Sequence, residues 1–431
     1  MRGCEKTFEI FSRIFKTPVP SFDSIRMWVY RLGLYELQRK HEFRSDWIFI
    51  LDHTIELGKV KCLVILGIPA TRLEDIGYSL KHEDVEVLDI EIMERSTGDM
   101  IYHKLVSLSE QVGTPIQIIS DHGSDLKKGI ALFLEEHADV IYTYDITHKM
   151  ASLLKKELEN DPKYNKFAEQ LSTSLRQMRQ TELYFLAPPK QRVKARYLNI
   201  DIYVKWAMSV LDYKNRGDFS KIYNFSTLNS KQKYNKQNHK IQISKDKYIT
   251  SNSMITRLND MGRKRFMEKL GWLNNFEEEI KVWFEIVQLI LLAEKQVKSE
   301  GLSQQSKQRF EEKSKKIGVN NGRVLNFKKQ IIEHLFEEGE KIPKDQILIG
   351  TSDIIESTFG KYKNFSSRNP LKEVGKMILS IPVFIGKKSN DYIKSAMETI
   401  KSVSVKDWSN DIFGQSNLSK RIQAFNPKLK T

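Results

Sequence analysis

The sequence predicts an α/β protein in which a mixed sheet, flanked by helices, is interrupted by a large all-helical insertion domain. Short apolar runs with the length of buried strands occur repeatedly between residues 46 and 150. Helical spacing of apolar residues separates the later runs and then continues over residues 150–338. With 431 residues and 40% hydrophobic content, the chain is long enough for a packed core and about two to four structural units.

The elements of the sheet region follow one another in a definite order. A first strand is predicted over residues 47–57, and Gly58-Lys59 turns the chain into a second strand over 61–68. The expected order is three antiparallel strands, then helix, strand, helix and strand. The remaining predictions are a strand over 85–92, a helix over 99–111, a strand over 116–121, a helix over 126–136 and a strand over 140–146.

The amino end is predicted to form two short helices around a turn. Apolar residues at helical spacing, ended by prolines, precede Ser21, which can cap a second helix that runs to Gly33. The pair is similar to a helix-turn-helix whose outer face would carry Arg26, Tyr30 and Arg31 as DNA contacts. Helical pairs of this size are more often packing units than DNA readers, so both interpretations stay open.

The remaining chain is predicted to be helical. Further helices are expected over residues 150–179, 202–213, 254–270, 276–298, 324–338, 371–379 and 392–403. The resulting domain boundaries are 1–45 for the amino-terminal helical unit, 46–150 and 345–370 for the two parts of the sheet domain, 151–344 for the helical insertion and 371–431 for a basic helical carboxy-terminal region.

Positive charge is distributed unevenly along the chain. The net charge is +15 and the isoelectric point is about 9.4. Residues 181–270 carry a net charge of +12, residues 271–342 are neutral and residues 361–431 carry +9. This pattern indicates a surface for a polyanion that is assembled from separated segments. A solvated, lysine-rich surface is the alternative interpretation.

Several classes of protein are excluded. Cys4 and Cys62 are the two cysteines, too few for a disulfide framework or a cysteine-rich zinc site. No apolar run is long enough to span a bilayer and the amino end lacks a secretion signal, so the cytoplasm is the expected compartment. A P-loop is absent, and Ser120 and Ser124 lack the motifs of a serine hydrolase.

Two predicted strands end in an aspartate. Asp52 ends the apolar run of the first strand, and Asp121 ends that of the fourth. One such acid is common, but two on neighbouring strands would place two carboxylates within a few Å of each other. Because like charges at this distance repel, a divalent cation is the natural partner. Two Mg²⁺ or Mn²⁺ ions acting on phosphates are therefore predicted.

A third carboxylate is expected from a late helix that begins after residues 351–352. Glu356 would lie one turn inside this helix. Asp353 is the alternative on nearly the same face, although its position in the first turn is equally explained by the helix dipole. Glu356 is preferred. Lys361 and Lys363, just beyond it, would point toward a phosphate backbone bound at the acids.

These residues resemble the catalytic motifs of DDE transposases with the RNase H-like fold. The similarity consists of Ile-Leu-Asp-His-Thr around Asp52, Ile-Ser-Asp-His-Gly-Ser-Asp around Asp121 and Ser-Asp-Ile-Ile-Glu-Ser-Thr-Phe around Glu356. Tyr-Asp-Ile-Thr-His, which contains Asp145 and His148, is similar to the Asp-x-x-His motif of Mutator- and hAT-like members. The resemblance covers about residues 45–150 and 345–365.

The resemblance implies a DNA transposase that cleaves the ends of an insertion sequence and joins the 3′-hydroxyl to target DNA. Asp52, Asp121 and Glu356 would be catalytic and would hold the two Mg²⁺ or Mn²⁺ ions. Asp145 and His148 would lie beside the pocket without binding metal. The same resemblance implies double-stranded DNA as partner, a homodimer or larger synaptic oligomer, and association with a prokaryotic nucleoid, with no membrane partner.

Other polar residues are assigned supporting or binding roles. His122, next to Asp121, is expected to support the site or to face a phosphate rather than to bind zinc. Aromatic residues among the cations of residues 181–270 suit stacking on unpaired bases. For Trp206 and Tyr203, core positions in an amphipathic helix are favoured over stacking. The candidate DNA-binding residues are Arg26, Arg31, Lys190, Arg192, Lys194, Arg196, Trp206, Lys361 and Lys363.

Two other functions stay open. A domesticated or inactive descendant of a transposase would only bind DNA, and the short amino end favours it. Acids retained at all three positions count against it, because idle buried carboxylates reduce stability. A structure-selective nuclease with the same fold would cleave DNA without joining it. Terminal inverted repeats that flank the gene would distinguish a transposase from both.

Overall fold

The protein is described by a computed structural model over residues 2–55, 60–190, 200–217, 219, 222, 251–318, 321–366 and 375–426. The chain divides into two compact units. The first comprises Met1–Lys149, Lys295–Lys307 and Leu335–Thr431, and the second comprises Met150–Glu294 and Gln308–His334. Within the described ranges, no helix is long and apolar enough to cross a membrane.

The described part of the first unit contains a five-stranded mixed sheet. Its strands are β1 (Trp47–Ile55), β2 (Lys61–Pro69), β3 (Glu86–Met93), β4 (Gln117–Ser120) and β5 (Ile141–Tyr144). They lie in the order β3-β2-β1-β4-β5, with antiparallel β1–β2 and β2–β3 pairs and parallel β1–β4 and β4–β5 pairs. The α/β class and the mixed sheet flanked by helices, both expected from the sequence, are confirmed.

The strands are continuously apolar because the sheet is the centre of the core. Every residue of β2 after Lys61 is buried. The helices up to the end of β5 and just beyond it are α1 (Arg2–Phe15), α2 (Phe22–Gln38), α3 (Leu73–Ile76), α4 (Gly98–Val112), α5 (Ser124–Glu136) and α6 (Ile146–Leu158). Phe49 of β1 shares one buried cluster with Leu105 of α4 and Phe133 of α5. The sheet and these two helices therefore form a single core.

The described residues of the second unit are helical. The next elements along the chain are α7 (Pro162–Met178), α8 (Ile200–Arg216), α9 (Ser251–Leu270), α10 (Glu277–Glu300), α11 (Ser306–Ser314) and α12 (Gly322–Glu340). The prediction of a single helix over 150–179 is wrong, because residues 159–161 interrupt the helix between α6 and α7. The side chain of Asp161 accepts hydrogen bonds from the backbone N–H groups of Lys163 at 2.9 Å and Tyr164 at 3.2 Å. Pro162 then suits the first turn, where its missing N–H is not needed.

The second unit has an aromatic core of its own. The ring of Phe167 on α7 lies 5.2 Å from that of Trp283 and 5.8 Å from those of Trp272 and Phe276, centroid to centroid. Such edge and tilted contacts add to the burial of apolar area. The apolar spacing that predicts these helices therefore also marks their packed faces.

The amino-terminal and carboxy-terminal segments pack together within the first unit. The last helices are α13 (Asp353–Ser366), α14 (Asn390–Thr399), α15 (Ser402–Phe413) and α16 (Asn417–Phe425). Tyr30 and Leu34 of α2 share a buried cluster with Leu379, Ile400 and Val405. The predicted position of Tyr30 on an outer face is therefore wrong, since the residue is 4% exposed. The face of α2 that carries Tyr30 serves packing rather than recognition.

Helix α2 begins as predicted but extends beyond its predicted end. The side chain of Ser21 caps the helix by accepting from the backbone N–H of Ser24. Gly33 does not end the helix, which continues to Gln38. A Cβ at Gly33 would lie 1.7 Å from the carbonyl oxygen of Leu379, so no side chain fits there. Close approach of a distant segment, and not helix termination, explains this glycine.

The carboxy-terminal helices differ from their predicted bounds. A single helix over 392–403 is wrong, because Ile400 adopts an extended conformation between α14 and α15. This conformation allows Ile400, 5% exposed, to enter the cluster formed with α2. Of the helix predicted over 371–379, residues 371–374 lie outside the described residues, and Lys376–Ser380 forms a 3-10 helix.

Candidate active site

The two aspartates lie on neighbouring parallel strands. Asp52 is inside β1, where it pairs with Val64 of β2, rather than at the end of the strand as predicted. Asp121 follows the last residue of β4. The parallel register of β1 and β4 pairs Ile50 with Ile119, and its continuation by two residues places Asp52 opposite Asp121. Because adjacent strands lie about 4.8 Å apart, the sheet brings the two carboxylates together.

Burial and negative charge act together on Asp52. Burial raises the pKa of its carboxyl most, and the charges of Asp121 and Glu356 raise it further. The backbone N–H of His53, 2.6 Å from Oδ1, and the imidazole of His148 oppose this effect, and the resulting pKa is about 7. The carboxylates of Asp121 and Glu356 are therefore close enough to Asp52 to act on its ionisation.

Glu356 belongs to this group through its position in the first turn of α13, which packs against β1. Its Oε1 lies 2.5 Å from Nε2 of His148. Burial lowers the pKa of His148, but the hydrogen bond to Glu356 and the charges of Asp145, Glu356 and Asp121 outweigh burial and raise the pKa to about 9. His148 is therefore an imidazolium at neutral pH, and its Nε2–H donates to Glu356.

The metal-free protein is expected to lose stability as the pH rises from 6.5 toward 9. Folding raises the pKa of His148 from 6.5 to about 9, so its ion pair contributes fully below pH 6.5 and is lost as the pH passes 9. The rise in pKa from 6.5 to about 9 corresponds to a contribution of about 3 kcal/mol. Thermal unfolding of the wild type and Glu356→Gln across this window measures it. The wild-type midpoint should fall more steeply, and equal pH dependence in both proteins would contradict the prediction.

Asp145 joins two segments that are far apart in the sequence. Its side chain is 1% exposed, and burial raises the pKa of its carboxyl. Oδ1 accepts from the backbone N–H of His148 at 2.8 Å. Oδ2 accepts from the backbone N–H of Ser352 and, at 2.9 Å, from its hydroxyl. Because Ser352 directly precedes α13, these bonds align the two helices that carry His148 and Glu356.

Asp353, the alternative third acid, has other partners. Its Oδ2 lies 2.7 Å from Nζ of Lys298, and its Oδ1 accepts from the hydroxyl of Thr147 at 3.2 Å. Glu356, one turn later, is among the groups that act on the carboxyl of Asp52. The arrangement favours Glu356 over Asp353 as the third acid.

His122 lies in the loop after β4 with an unusual backbone conformation. Its φ of +58° is in the left-handed region, which residues with a side chain seldom adopt. The imidazole stacks on Tyr144 at 4.0 Å and contacts Tyr142 at 4.6 Å, centroid to centroid. Burial, and after it three nearby lysines, lower the pKa of His122 to about 4, so the ring is neutral at pH 7. His122 is thus a neutral aromatic neighbour of Asp121.

Asp125, for which no role was predicted, is a further carboxylate beside Asp121. Oδ2 of Asp125 lies 3.3 Å from Nζ of Lys61 and 4.0 Å from Nε2 of His53. Gly123 lies between the two aspartates: its N–H donates to Asp121 at 2.8 Å, and a Cβ there would be 3.2 Å and 3.4 Å from their Oδ1 atoms. The Asp-His-Gly-Ser-Asp spacing is the one signal that could have identified Asp125.

The donor set fits a hard divalent cation. Across the described residues, no group of three or more His, Cys, Asp or Glu side chains has the arrangement needed to hold a metal ion as it stands. The carboxylates of Asp52 and Asp121 supply oxygen ligands that suit Mg²⁺ or Mn²⁺, and a cation would relieve the repulsion that raises the pKa of Asp52. Glu356 can add an oxygen, because a carboxylate has two and Oε1 bonds His148.

The candidate DNA contacts predicted between residues 190 and 206 have different outcomes. Lys190 is exposed. Trp206 is half-buried on α8, and its indole N–H donates to the carbonyl of Leu186 at 3.0 Å, while Tyr203 is 3% exposed. Both aromatic residues therefore take part in packing. The predictions that lie outside the described residues are Arg192, Lys194 and Arg196.

The two arginines of α2 have internal partners. The guanidinium of Arg31 donates to the carbonyl oxygens of Met397 and Ile400 at the end of α14. Because these bonds engage the guanidinium within the protein, they disfavour the predicted DNA contact of Arg31. Arg26 forms an ion pair of 2.6 Å with Asp23 on the more exposed side of the helix.

Lys361 and Lys363 are exposed on α13, in the turns that follow Glu356. The Nζ of Lys361 lies 5.9 Å from the ring centre of Phe384, and that of Lys363 lies 5.8 Å from the ring centre of Phe359. Such contacts hold the aliphatic stems on aromatic surface and leave the ammonium groups near water. Both lysines stay candidate phosphate contacts.

Comparison with known proteins adds no assignment to this geometry. No protein-family model matches the sequence, and no curated protein gives a significant match to it. The function is therefore inferred from the chemistry of the site.

Proposed function

We propose that this protein is a metal-dependent DNA transposase with an RNase H-like catalytic unit, which cleaves the ends of a mobile element and joins the 3′-hydroxyl to target DNA. The observation that carries the proposal is the convergence of three acids on one point of the sheet: Asp121 follows β4 opposite Asp52, and Glu356 lies in the first turn of α13, which packs against β1. Burial and the negative charges of Asp121 and Glu356 disfavour the ionised form of Asp52, and the positive charge of His148 offsets this only in part. Divalent cations that bridge the three carboxylates to phosphates supply the missing charge.

The sheet topology supports the same proposal. Three antiparallel strands followed by two parallel strands, in the order β3-β2-β1-β4-β5, agree with the RNase H-like fold that the motifs suggest. In that resemblance the acids come from the first strand, the end of the fourth strand and a late helix. Asp52, Asp121 and Glu356 occupy these positions.

Each residue of the site would have a separate role in the reaction. Bound Mg²⁺ or Mn²⁺ ions would activate the attacking water or 3′-hydroxyl and stabilise the leaving oxygen. Asp52 and Asp121 would hold the ions from the sheet, and Glu356 would complete the set from α13. His148 holds Glu356 in place, and Asp145 holds the helix that carries His148. Asp52, with a pKa of about 7, must be ionised to bind.

The purified full chain is expected to nick supercoiled plasmid DNA with Mg²⁺ or Mn²⁺, and to lose this activity in EDTA. Ca²⁺ should support little nicking, because its larger and more flexible coordination shell fits in-line displacement poorly. At metal concentrations well below saturation, the rate should rise as the pH increases through about 7, because Asp52 of the metal-free site must ionise to bind the cation. Gel electrophoresis of the plasmid measures the nicked fraction. Nicking that persists in EDTA would overturn the proposal.

A second assay separates the transposase from the two alternative functions. It uses oligonucleotides with free 3′-hydroxyls whose sequences cover the DNA on either side of the gene. A transposase joins such an end to plasmid DNA. Nicking without joining would indicate a structure-selective nuclease, and DNA binding without either reaction would indicate an inactive descendant.

A further inference from the structure

We propose that Lys127 and Lys149, at the start of the two helices beside His122 and Tyr144, form a subsite for one phosphate of the DNA strand beside the phosphate that Asp52 and Asp121 would hold. This inference rests on the proposed function and extends it, because it assigns residues that position the strand. The backbone of His122, the packing of its ring and the lysines around it support the subsite.

The backbone of His122 is strained, and no hydrogen bond at the end of its side chain within the described protein accounts for this strain. A left-handed conformation costs a residue with a side chain about 1–3 kcal/mol, and such strain is found mostly at functional sites. The φ of His122 is +58°. In the described protein, its Nε2 is buried and has no hydrogen-bond partner. No internal hydrogen bond of that nitrogen therefore compensates for the strain.

Packing holds the imidazole in one orientation. The planes of His122 and Tyr144 are 6° apart, with 4.0 Å between ring centroids. Tyr142, on the same strand, contacts the imidazole at 4.6 Å and is itself held by a 2.8 Å hydrogen bond to Ser120. The result is a rigid aromatic platform that begins one residue after Asp121.

Lysines from three separate elements are close enough to this platform to act on the imidazole electrostatically. They are Lys341 after α12, whose Nζ donates to the carbonyl of Tyr142 at 3.1 Å, and Lys149 on α6, whose Nζ lies 6.0 Å from the ring centre of Tyr144. The third is Lys127 at the start of α5, whose backbone N–H donates to the carbonyl of Gly123 at 2.8 Å, next to His122. Like charges gathered in one place are unfavourable unless anions neutralise them. The nearby anions in the protein include Asp121, which the proposed function assigns to metal, and Glu338.

Glu338 neutralises one of the three lysines. Nζ of Lys341 lies 2.7 Å from Oε1 of Glu338 and donates to the carbonyl of Tyr142 at 3.1 Å, which fixes the edge strand β5. Nζ of Lys149 lies 6.0 Å from the ring centre of Tyr144. Lys127 is exposed on α5. Lys127 and Lys149 are therefore the cations suited to an external anion.

A phosphodiester is the anion that this position favours. His122 follows Asp121 directly, so the lysines around its ring lie next to the proposed cleavage site. A strand with one phosphate at the acids presents its neighbouring phosphates on either side. Lysine ammonium groups bind phosphate as point charges and need no fixed geometry. The subsite would thus hold the strand in register for cleavage.

Lys127→Ala and Lys149→Ala test the subsite, and Lys128→Ala is the matched control. Lys128 follows Lys127 on the same helix, is exposed and pairs with Asp99 at 3.3 Å. The probe is a fluorescein-labelled DNA duplex of mixed sequence, with Ca²⁺ in place of Mg²⁺ to limit cleavage. Each test variant should weaken binding about 3- to 10-fold, and the two substitutions together should lower the slope of log K against log salt by about 0.9, the value for one phosphate, while Lys128→Ala leaves both unchanged.

The outcomes separate this inference from the proposed function. Affinity and salt slope in both test variants equal to those of Lys128→Ala would overturn the subsite, even if metal-dependent nicking is found. A loss of affinity in both variants, with no nicking by the wild type, would refute the proposed function and leave a DNA-binding site. His122→Asn keeps a residue that tolerates the left-handed conformation. Wild-type affinity in this variant would remove His122 from the subsite.

Discussion

Replacement of Asp52 or Asp121 by asparagine is expected to lower the rate of metal-dependent DNA nicking at least about 100-fold. Each substitution keeps the size of the side chain but removes the charge that a divalent cation needs. Asp52→Asn should at the same time raise the thermal stability of the metal-free protein above pH 7, because burial and Asp121 disfavour its ionised form. Initial nicking rates and unfolding midpoints of the same preparations measure both effects.

Asp353→Asn is the matched control for Glu356→Gln, since the two acids lie one turn apart on α13. Glu356→Gln should lose activity like the aspartate variants, whereas Asp353→Asn should keep it within about threefold, having lost only the ion pair to Lys298. DNA binding should survive in all of them, because removal of negative charge does not weaken phosphate contacts. Full activity in Asp52→Asn would exclude this site as the catalytic centre.

Asp145→Ala is expected to destabilise the protein by about 3–5 kcal/mol and to reduce nicking even in the folded fraction. The substitution leaves the buried N–H and hydroxyl of Ser352 and the N–H of His148 without their acceptor. Because His148 and Glu356 meet only when α6 and α13 are aligned, activity depends on this carboxylate without any contact to DNA.

Thermal unfolding and nicking rates, measured together, test the role of Asp145. Asp139→Ala is the control, as an exposed aspartate in the same region of the chain. Ser352→Ala removes one of the hydrogen bonds and should cost about 1 kcal/mol. A melting temperature of Asp145→Ala equal to that of Asp139→Ala would show that the residue does not position the two helices.

Local apolar patterns are sufficient to predict the sheet, because strands buried on both faces are continuous apolar runs. They do not predict where a strand ends when a partner strand continues. The first strand was predicted over residues 47–57 with Asp52 at its far end, yet Asp52 lies inside β1, which runs on through His53, Thr54 and Ile55 and pairs with β2 as far as Lys61. Polar residues do not terminate a strand whose backbone hydrogen bonds are still satisfied by a neighbour.

Roles that depend on distant partners could not be predicted. Gly33 has the local signature of a helix end, but its small size is required by the carbonyl of Leu379. Arg31 has the signature of an exposed cation, but it bonds the end of α14. The motif that contains Asp145 is visible in the sequence, whereas its bond to Ser352 is not. In each case the sequence around the residue shows one partner of the contact, and the other partner lies far away in the chain.

The hydrogen bonds between Asp145 and Ser352 also close a loop of chain. The two residues are 207 positions apart, and the carboxylate and hydroxyl meet at 2.9 Å. The entropy lost on loop closure grows slowly, by about 0.6 kcal/mol for each doubling of length. The number of residues between them could therefore change during evolution at little cost in loop-closure entropy. The distances in space between Asp52, Asp121 and Glu356 would stay the same as long as the two ends of the loop still meet.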